Sequence, residues 1–294
     1  MLVYALILAF IALQQGDSFV VRPSMPKRAH NSGLSVARSS GKVSRSFLCM
    51  SDEWTSCSVL SNEREAEGLR LVKVQVPEEI AAGYTVPGQY VKIKVGDGKP
   101  GFYAVASPPG VPNEMTFLVK ETPNNGFLTE AKSGAGLDLS CAQGKGFAIE
   151  EYFDTYRNDW ACTNILLLAA GSGLAPIAAA IESPLLSLKV TSYQTLFERT
   201  ATLYIGARSE EYLPFRSKYD EWAKMGVNII PVLSKPGEGW AGATGYVQDA
   251  LRADGVKVPR NSGALLCGQK EMTENCREIM LEAGVFEGRI LLNF

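Results

Sequence analysis

Residues 165–180 read ILLLAAGSGLAPIAAA, two apolar runs separated by Gly171, Ser172 and Gly173, with Pro176 shortly after. Glycines at 171 and 173 let the backbone turn sharply and let a ligand come close, because neither carries a Cβ. Pro176 falls in the first turn of the segment that follows, where a missing N–H costs nothing. A strand, a glycine turn and a helix start present free N–H groups at the positive end of a helix, and the anion they suit is a diphosphate. The spacing departs from the G-x-G-x-x-G dinucleotide fingerprint, since Pro176 stands where the third glycine would be.

Other chemistry is narrowed by what the chain lacks. Its single histidine, His30, lies before the folded part, which excludes a His-based triad or a His-ligated metal there, and no metal site is expected. Five cysteines follow residue 50 (Cys57, Cys141, Cys162, Cys267, Cys276). They show no C-x-x-C and sit mostly in apolar contexts, so they read as structural thiols of a reducing compartment.

Two patterns organise the elements around the glycine turn. From Ser51 the segments LRLVKVQV (69–76), YVKIKV (90–95) and MTFLVKE (115–121) alternate in period two between Gly/Pro/Asn turns, and an antiparallel barrel is the natural closure of such strands. From Ala161 the compact runs ILLLAA, TLYIGA, VNIIPVL and GALLCG are each followed by a helical pattern, which predicts a parallel sheet with helices on both faces. A polar and aromatic stretch, EYFDTYRND, marks the change. The expected domains are 51–155 and 156–294.

Residues 1–50 read as routing information. Leu2–Leu13 is apolar and too short to span a bilayer, and Phe19–Met50 carries six Lys/Arg, seven serines and no acidic residue. This resembles the bipartite presequence, signal plus transit peptide, of algae with secondary plastids; a secreted or mitochondrial destination is the alternative. Without residues 1–50 the chain holds 23 basic and 30 acidic residues, a net charge near −7 that argues against binding nucleic acid or anionic membranes.

Motifs in a fixed order carry a resemblance. GSGLAP resembles the G-T-G-x-A-P pyrophosphate loop of the ferredoxin–NADP reductase superfamily, and LLCGQKEM (265–272) resembles its C-G-x-x-x-M segment. LYIGARSEEYLPFRSKYDEW (203–222) is similar to its strand and loop beside the adenosine ribose. In the first half PGQYVKI (87–93) is similar to its P-G-Q-[FY]-V strand, FYAVASPPG (102–110) falls at its flavin strand, and CAQGKGFAI (141–149) resembles its G-P-x-G-x-F turn. The likeness covers residues 60–294 and is greatest to the plant fruit-protein branch.

The resemblance implies a six-stranded barrel that binds FAD or FMN and an α/β domain that binds NADP or NAD. Hydride passes from nicotinamide to flavin N5 in this family, whose proteins position cofactors that carry the chemistry. Carried over by match, Gly171, Ser172, Gly173 and Pro176 hold the pyrophosphate, and Cys267, Gly268 and Met272 lie near the nicotinamide. Tyr103, Ala104 and Val105 line the flavin, and Phe294 closes the chain as an aromatic over its ring. Arg208 and Ser209 meet the adenosine ribose, where a guanidinium at 208 favours a 2′-phosphate and therefore NADP, with Arg216 or Lys218 assisting.

The flavin motif itself departs from the family. Gly101 stands where its arginine belongs and Ala104 where its serine belongs, so weaker flavin binding is expected unless Ser107 replaces the hydroxyl. The reading is an NAD(P)H-dependent flavin oxidoreductase with an unknown acceptor. A reductase-like protein that has lost redox chemistry and serves as a nucleotide-binding or scaffold module is the alternative. Residues 52–154 hold nine basic and fifteen acidic residues, which makes an acidic ferredoxin a poor partner.

Overall fold

The computed structural model describes residues 53–154, 161–188 and 199–293. The presequence predicted over residues 1–50 and the terminal Phe294 lie outside the described residues. The first half folds as β1 (Trp54–Ala66), β2 (Leu69–Gln75), α1 (Glu78–Gly83), β3 (Tyr90–Lys94), β4 (Gly101–Ala104), β5 (Glu114–Lys120), α2 (Gly126–Thr129), β6 (Gly136–Ser140) and α3 (Ile149–Phe153). Its strands pair antiparallel in the order β4-β3-β6-β1-β2-β5. An isolated bridge between Val105 and Phe117 brings β5 back beside the end of β4 and closes the barrel. The period-two reading is realised residue by residue: in β3 Val91 and Ile93 are fully buried while Tyr90, Lys92 and Lys94 stay partly exposed.

The second half follows as β7 (Asn164–Ala170), α4 (Leu174–Glu182), β8 (Thr200–Ala207), α5 (Tyr219–Lys224), β9 (Val227–Leu233), β10 (Ala243–Thr244), α6 (Val247–Asp254), β11 (Ser262–Cys267), α7 (Lys270–Ala283) and β12 (Ile290–Leu292). All pairs are parallel, in the order β10-β9-β8-β7-β11-β12. The chain winds outward from β7 through β8 and β9, then returns to lay β11 on the other side of β7. That reversal makes a crevice between the carboxyl ends of β7 and β11, where open α/β sheets bind their ligands.

One core joins the two sheets. Leu118, Phe147, Ile149 and Phe153 of the first half pack with Leu174, Ala175, Ile177 and Ala178 of α4, and α4 is buried from Leu174 to Ile181. The stretch read as a polar junction begins as α3, whose Ile149 and Phe153 are fully buried. Arg199 secures it: its guanidinium donates to the carbonyls of Cys162 (2.9 Å), Phe153 (3.1 Å) and Leu186 (3.3 Å) and pairs with Asp154. A buried cation so fully answered holds its place without an unpaired charge.

Cys57, Cys162, Cys267 and Cys276 are buried free thiols. Cys141 is disulfide-bonded, which corrects the expectation that all five are thiols; uneven cysteine spacing carries no pairing signal. No helix among the described residues is long and apolar enough to cross a membrane.

Candidate active site

β7 ends at Ala170, and the chain enters a tight turn, Gly171–Gly173, that runs directly into α4. The two glycines are needed for different reasons. Gly171 has φ +55, the left-handed region, and its missing side chain would meet nothing within 4 Å. Gly173 has an ordinary φ of −62, yet a Cβ there would press into the Cys267 carbonyl and lie 3.0 Å from the Gly268 Cα. The turn after β7 is thus seated on the backbone that leaves β11.

Gly268 repeats the arrangement one step further out. A Cβ on it would fall 2.7 Å from Met272 Cε and 3.3 Å from the Ala170 nitrogen. Residues predicted from two motifs far apart in sequence, Gly171 and Gly173 with Cys267, Gly268 and Met272, therefore form one cluster at the crevice between β7 and β11. Pro176 is buried in the first turn of α4, and Ser172 is half-buried on the turn. Barrel strand β5 packs against this turn, so the cluster lies where the two halves meet.

Cys267 is buried, and burial pushes its thiol up to about 12, with a hydrogen bond to the Asn293 side chain acting the other way. At neutral pH the group is a neutral thiol and no nucleophile. Asn293 was not singled out from the sequence. Its placement follows from register: Leu266 pairs with Leu292, so Cys267 and Asn293 leave adjacent strands side by side. Asn293 is 3% exposed and its Oδ1 has no hydrogen-bond partner. A buried oxygen left unpaired costs about 1–3 kcal/mol. Such a group needs an explanation, and a ligand donor is one.

Arg208 follows β8 and is exposed. Its backbone is fixed, because its carbonyl accepts from Lys235 N–H at 2.7 Å while the Ala207 carbonyl accepts from Ser234 N–H at 3.0 Å. Ser209 donates to Glu211 Oε1 at 2.7 Å. Glu211's own backbone N–H, that hydroxyl and the Arg208 charge hold the Glu211 carboxyl below its usual range. Arg216 is exposed. Lys218 points elsewhere: its ammonium pairs with Glu182 Oε1 at 2.7 Å, the same oxygen that accepts from Trp222 Nε1 at 3.1 Å. Lys218, just before α5, is thereby tied to Glu182 at the end of α4.

On the flavin side Tyr103 and Gly101 lie on one side of β4, opposite Val91 and Ile93. Tyr103 is half-buried and packs against the barrel core. Burial raises its hydroxyl, and a hydrogen bond to the Asn125 side chain opposes that shift. Ala104 pairs with Tyr90 and is half-buried, and Val105 is fully buried. Ser107 is a strut between strands: its Oγ accepts from Thr116 N–H at 3.1 Å, and its carbonyl accepts from the buried Tyr84 hydroxyl at 3.0 Å. Among the described residues no cluster of three or more His, Cys, Asp or Glu could hold a metal ion.

Comparison with known proteins agrees with this geometry. A family profile for an oxidoreductase NAD-binding domain matches residues 167–278, the stretch from β7 into α7. A fruit protein of Actinidia deliciosa is 30% identical over 234 residues, 76% of this chain and 70% of that protein. Reductase component 2 of terephthalate 1,2-dioxygenase from Comamonas sp is 30% identical over 236 residues, 78% of this chain. The chain spans 65% of that protein's length. A crystal structure of a ferredoxin NADP+ reductase from Neisseria gonorrhoeae with bound FAD and NADP shares the fold at a TM-score of 0.65 and 18% identity, covering 81% of this chain and 97% of that one. With the barrel, the parallel sheet and the ordered motifs all in place, the chain belongs to the ferredoxin–NADP reductase-like superfamily of oxidoreductases.

Proposed function

We propose that this protein is an NAD(P)H-dependent flavin oxidoreductase. The observation that carries the reading is the seating of Gly173 on the Cys267–Gly268 backbone, at the crevice between β7 and β11 and against barrel strand β5. A dinucleotide laid there has its diphosphate on the Gly171–Gly173 turn at the head of α4 and its nicotinamide beside Cys267 and Asn293. The open space above Gly171 and the unpaired Asn293 Oδ1 both fit such a ligand. Arg208, exposed at the end of β8, favours NADP over NAD through a guanidinium–phosphate pair.

The chemistry is a two-electron transfer. With both cofactors bound, NAD(P)H would give up a hydride to the flavin, solvent would supply one proton, and the two electrons would go on to an acceptor. The protein supplies geometry: β7 and β11 would fix the nucleotide, β4 and β5 would frame the flavin ring, and a neutral Cys267 thiol would pack beside the nicotinamide. The acidic balance of residues 52–154 disfavours an acidic ferredoxin as acceptor. We further propose that residues 1–50 direct the protein to a plastid; their Arg- and Ser-rich composition without acidic residues after Phe19 supports that reading, and a fluorescent fusion to residues 1–60 that is exported from the cell instead contradicts it.

The test is NADPH oxidation by the purified protein with FAD, FMN and an artificial one-electron acceptor. Steady oxidation that requires a flavin supports the reading. Tight NADPH binding with no oxidation under any flavin contradicts it and favours the second reading, a nucleotide-binding module without redox activity, which Gly101 and Ala104 motivate.

A further inference from the structure

The barrel side does not fit a flavin phosphate as well as the α/β side fits a dinucleotide. Tyr103 is folded back along β4 onto Gly101: a Cβ at residue 101 would lie 2.5 Å from the tyrosine hydroxyl and 2.7–2.8 Å from two of its ring carbons. The tyrosine therefore occupies the room that a side chain at 101 would use, and a guanidinium could stand there only if the tyrosine swung away. From that position its hydroxyl interacts with the Asn125 side chain, in the loop between β5 and α2. Asn125 is itself held, since its Oδ1 accepts from Thr122 N–H at 2.9 Å and its Nδ2 donates to the Lys120 carbonyl at 2.8 Å. β4 and β5 are joined otherwise by the bridge at Val105 and Phe117. A contact between two neutral groups, a phenol and an amide, thus links β4 to the loop after β5.

The segment that carries β5, Asn125 and α2 holds no positive surplus. Residues 114–132 hold Glu114, Glu121 and Glu130 against Lys120 and Lys132. Glu130 turns its carboxylate onto the start of α2, 3.4 Å from where a Gly126 Cβ would be. Arg70, on β2 opposite Val119 of β5, is taken by the Asn62 side chain (2.9 Å) and carbonyl (3.0 Å), with Glu121 at 3.9 Å. Without an arginine at 101, a flavin phosphate forgoes a guanidinium pair, one of the charge-assisted bonds that are about twice as strong as neutral ones.

Resting on the oxidoreductase reading above, we propose that this protein recognises flavin by its ring and ribityl chain and not by its phosphates, so that flavin is an exchangeable substrate and not a resident cofactor. Each cycle then consumes NAD(P)H, one proton and an oxidised flavin, and releases NAD(P)+ and dihydroflavin. The reduced flavin leaves the barrel carrying both electrons, and a new oxidised flavin takes its place.

The experiment is a fluorescence titration of the purified protein with riboflavin, FMN and FAD, repeated on Gly101→Arg. The wild type is expected to leave gel filtration colourless and to bind all three flavins with dissociation constants within about tenfold of one another. In Gly101→Arg, FMN and FAD are expected to gain about tenfold over riboflavin as Tyr103 yields its place to the guanidinium. The ratio between flavins cancels any general loss of folded protein. FAD bound more than about a hundredfold tighter than riboflavin by the wild type overturns the proposal and leaves the oxidoreductase reading intact. An unchanged ratio in Gly101→Arg overturns the assignment of the missing anchor to position 101. Failure of every flavin to bind overturns the oxidoreductase reading instead.

Discussion

Gly173 and Gly101 are both crowded glycines, one in each half of the molecule, and they differ in what crowds them. At Gly173 the obstacle is the backbone of Cys267 and Gly268, held on both sides by the parallel sheet, which cannot yield. At Gly101 the obstacle is the ring of Tyr103, a side chain with two rotatable bonds that can swing away. The nucleotide half is built to one geometry, and the flavin half has a movable part at its centre. A dinucleotide held rigidly and a flavin held by a surface that adjusts are what a protein needs if one ligand is positioned and the other exchanges.

The largest effect is expected where the obstacle is fixed. Gly173→Ala forces a Cβ into the Cys267 carbonyl, an overpacking that costs about 1–3 kcal/mol, or roughly 3–10 °C in Tm for a chain of this size. It should also abolish measurable NADP(H) binding, which calorimetric titration would record. Near wild-type Tm and affinity would show that the two loops are not seated on one another. Asn293→Leu sharpens the comparison from within the nucleotide half. Replacing a buried amide that has an unpaired oxygen with an isosteric apolar group should leave Tm unchanged or raise it, while weakening NADP+ about tenfold and leaving 2′-phospho-ADP-ribose, which lacks nicotinamide, unaffected. Equal losses for both ligands would make Asn293 a structural residue only.

Arg208→Ala acts at the edge of the same half. It should lower the preference for NADPH over NADH by about tenfold with little change in NADH kinetics, since only the 2′-phosphate loses its partner. The smallest expected effect is on stability at high pH. Burial raises the thiols of Cys57 and Cys162 to about 11 and those of Cys267 and Cys276 to about 12, from an ordinary value of 9.0. A group with a raised folded-state pKa contributes stability that is full below its unfolded value and lost as pH rises toward the folded one. Thermal scans should therefore show Tm steady to pH 9 and declining between pH 9 and 12. A Tm that holds flat across that window would contradict the burial of these thiols.

Much of this architecture was legible in the residues. β2, β3 and β7 announce themselves because apolar positions recur at period two or run unbroken, and the glycine turn reads correctly because glycines and a proline have few other uses between a strand and a helix. β1 was not legible, although it is the longest strand. Its stretch Ser61–Glu65 is polar on both faces and its pairing with β2 shifts register at two places, so no period survives in the sequence. Asn293 was missed because one polar residue after Ile290–Leu292 has meaning only when register places it beside Cys267. The Tyr103–Asn125 contact joins a strand to a distant loop, and no local pattern encodes it. The Lys218–Glu182 pair was likewise not legible, since the two residues lie 36 positions apart and meet only when α4 packs beside the turn before α5.

The most direct measurement is anaerobic mixing of the purified protein with NADPH and a several-fold molar excess of FMN, following the loss of oxidised flavin absorbance. The expected result is that more than one flavin per chain is reduced, at a rate set by protein concentration. No loss of absorbance beyond that of NADPH and FMN alone, from a protein that still binds the nucleotide, would contradict a hydride path between the two halves.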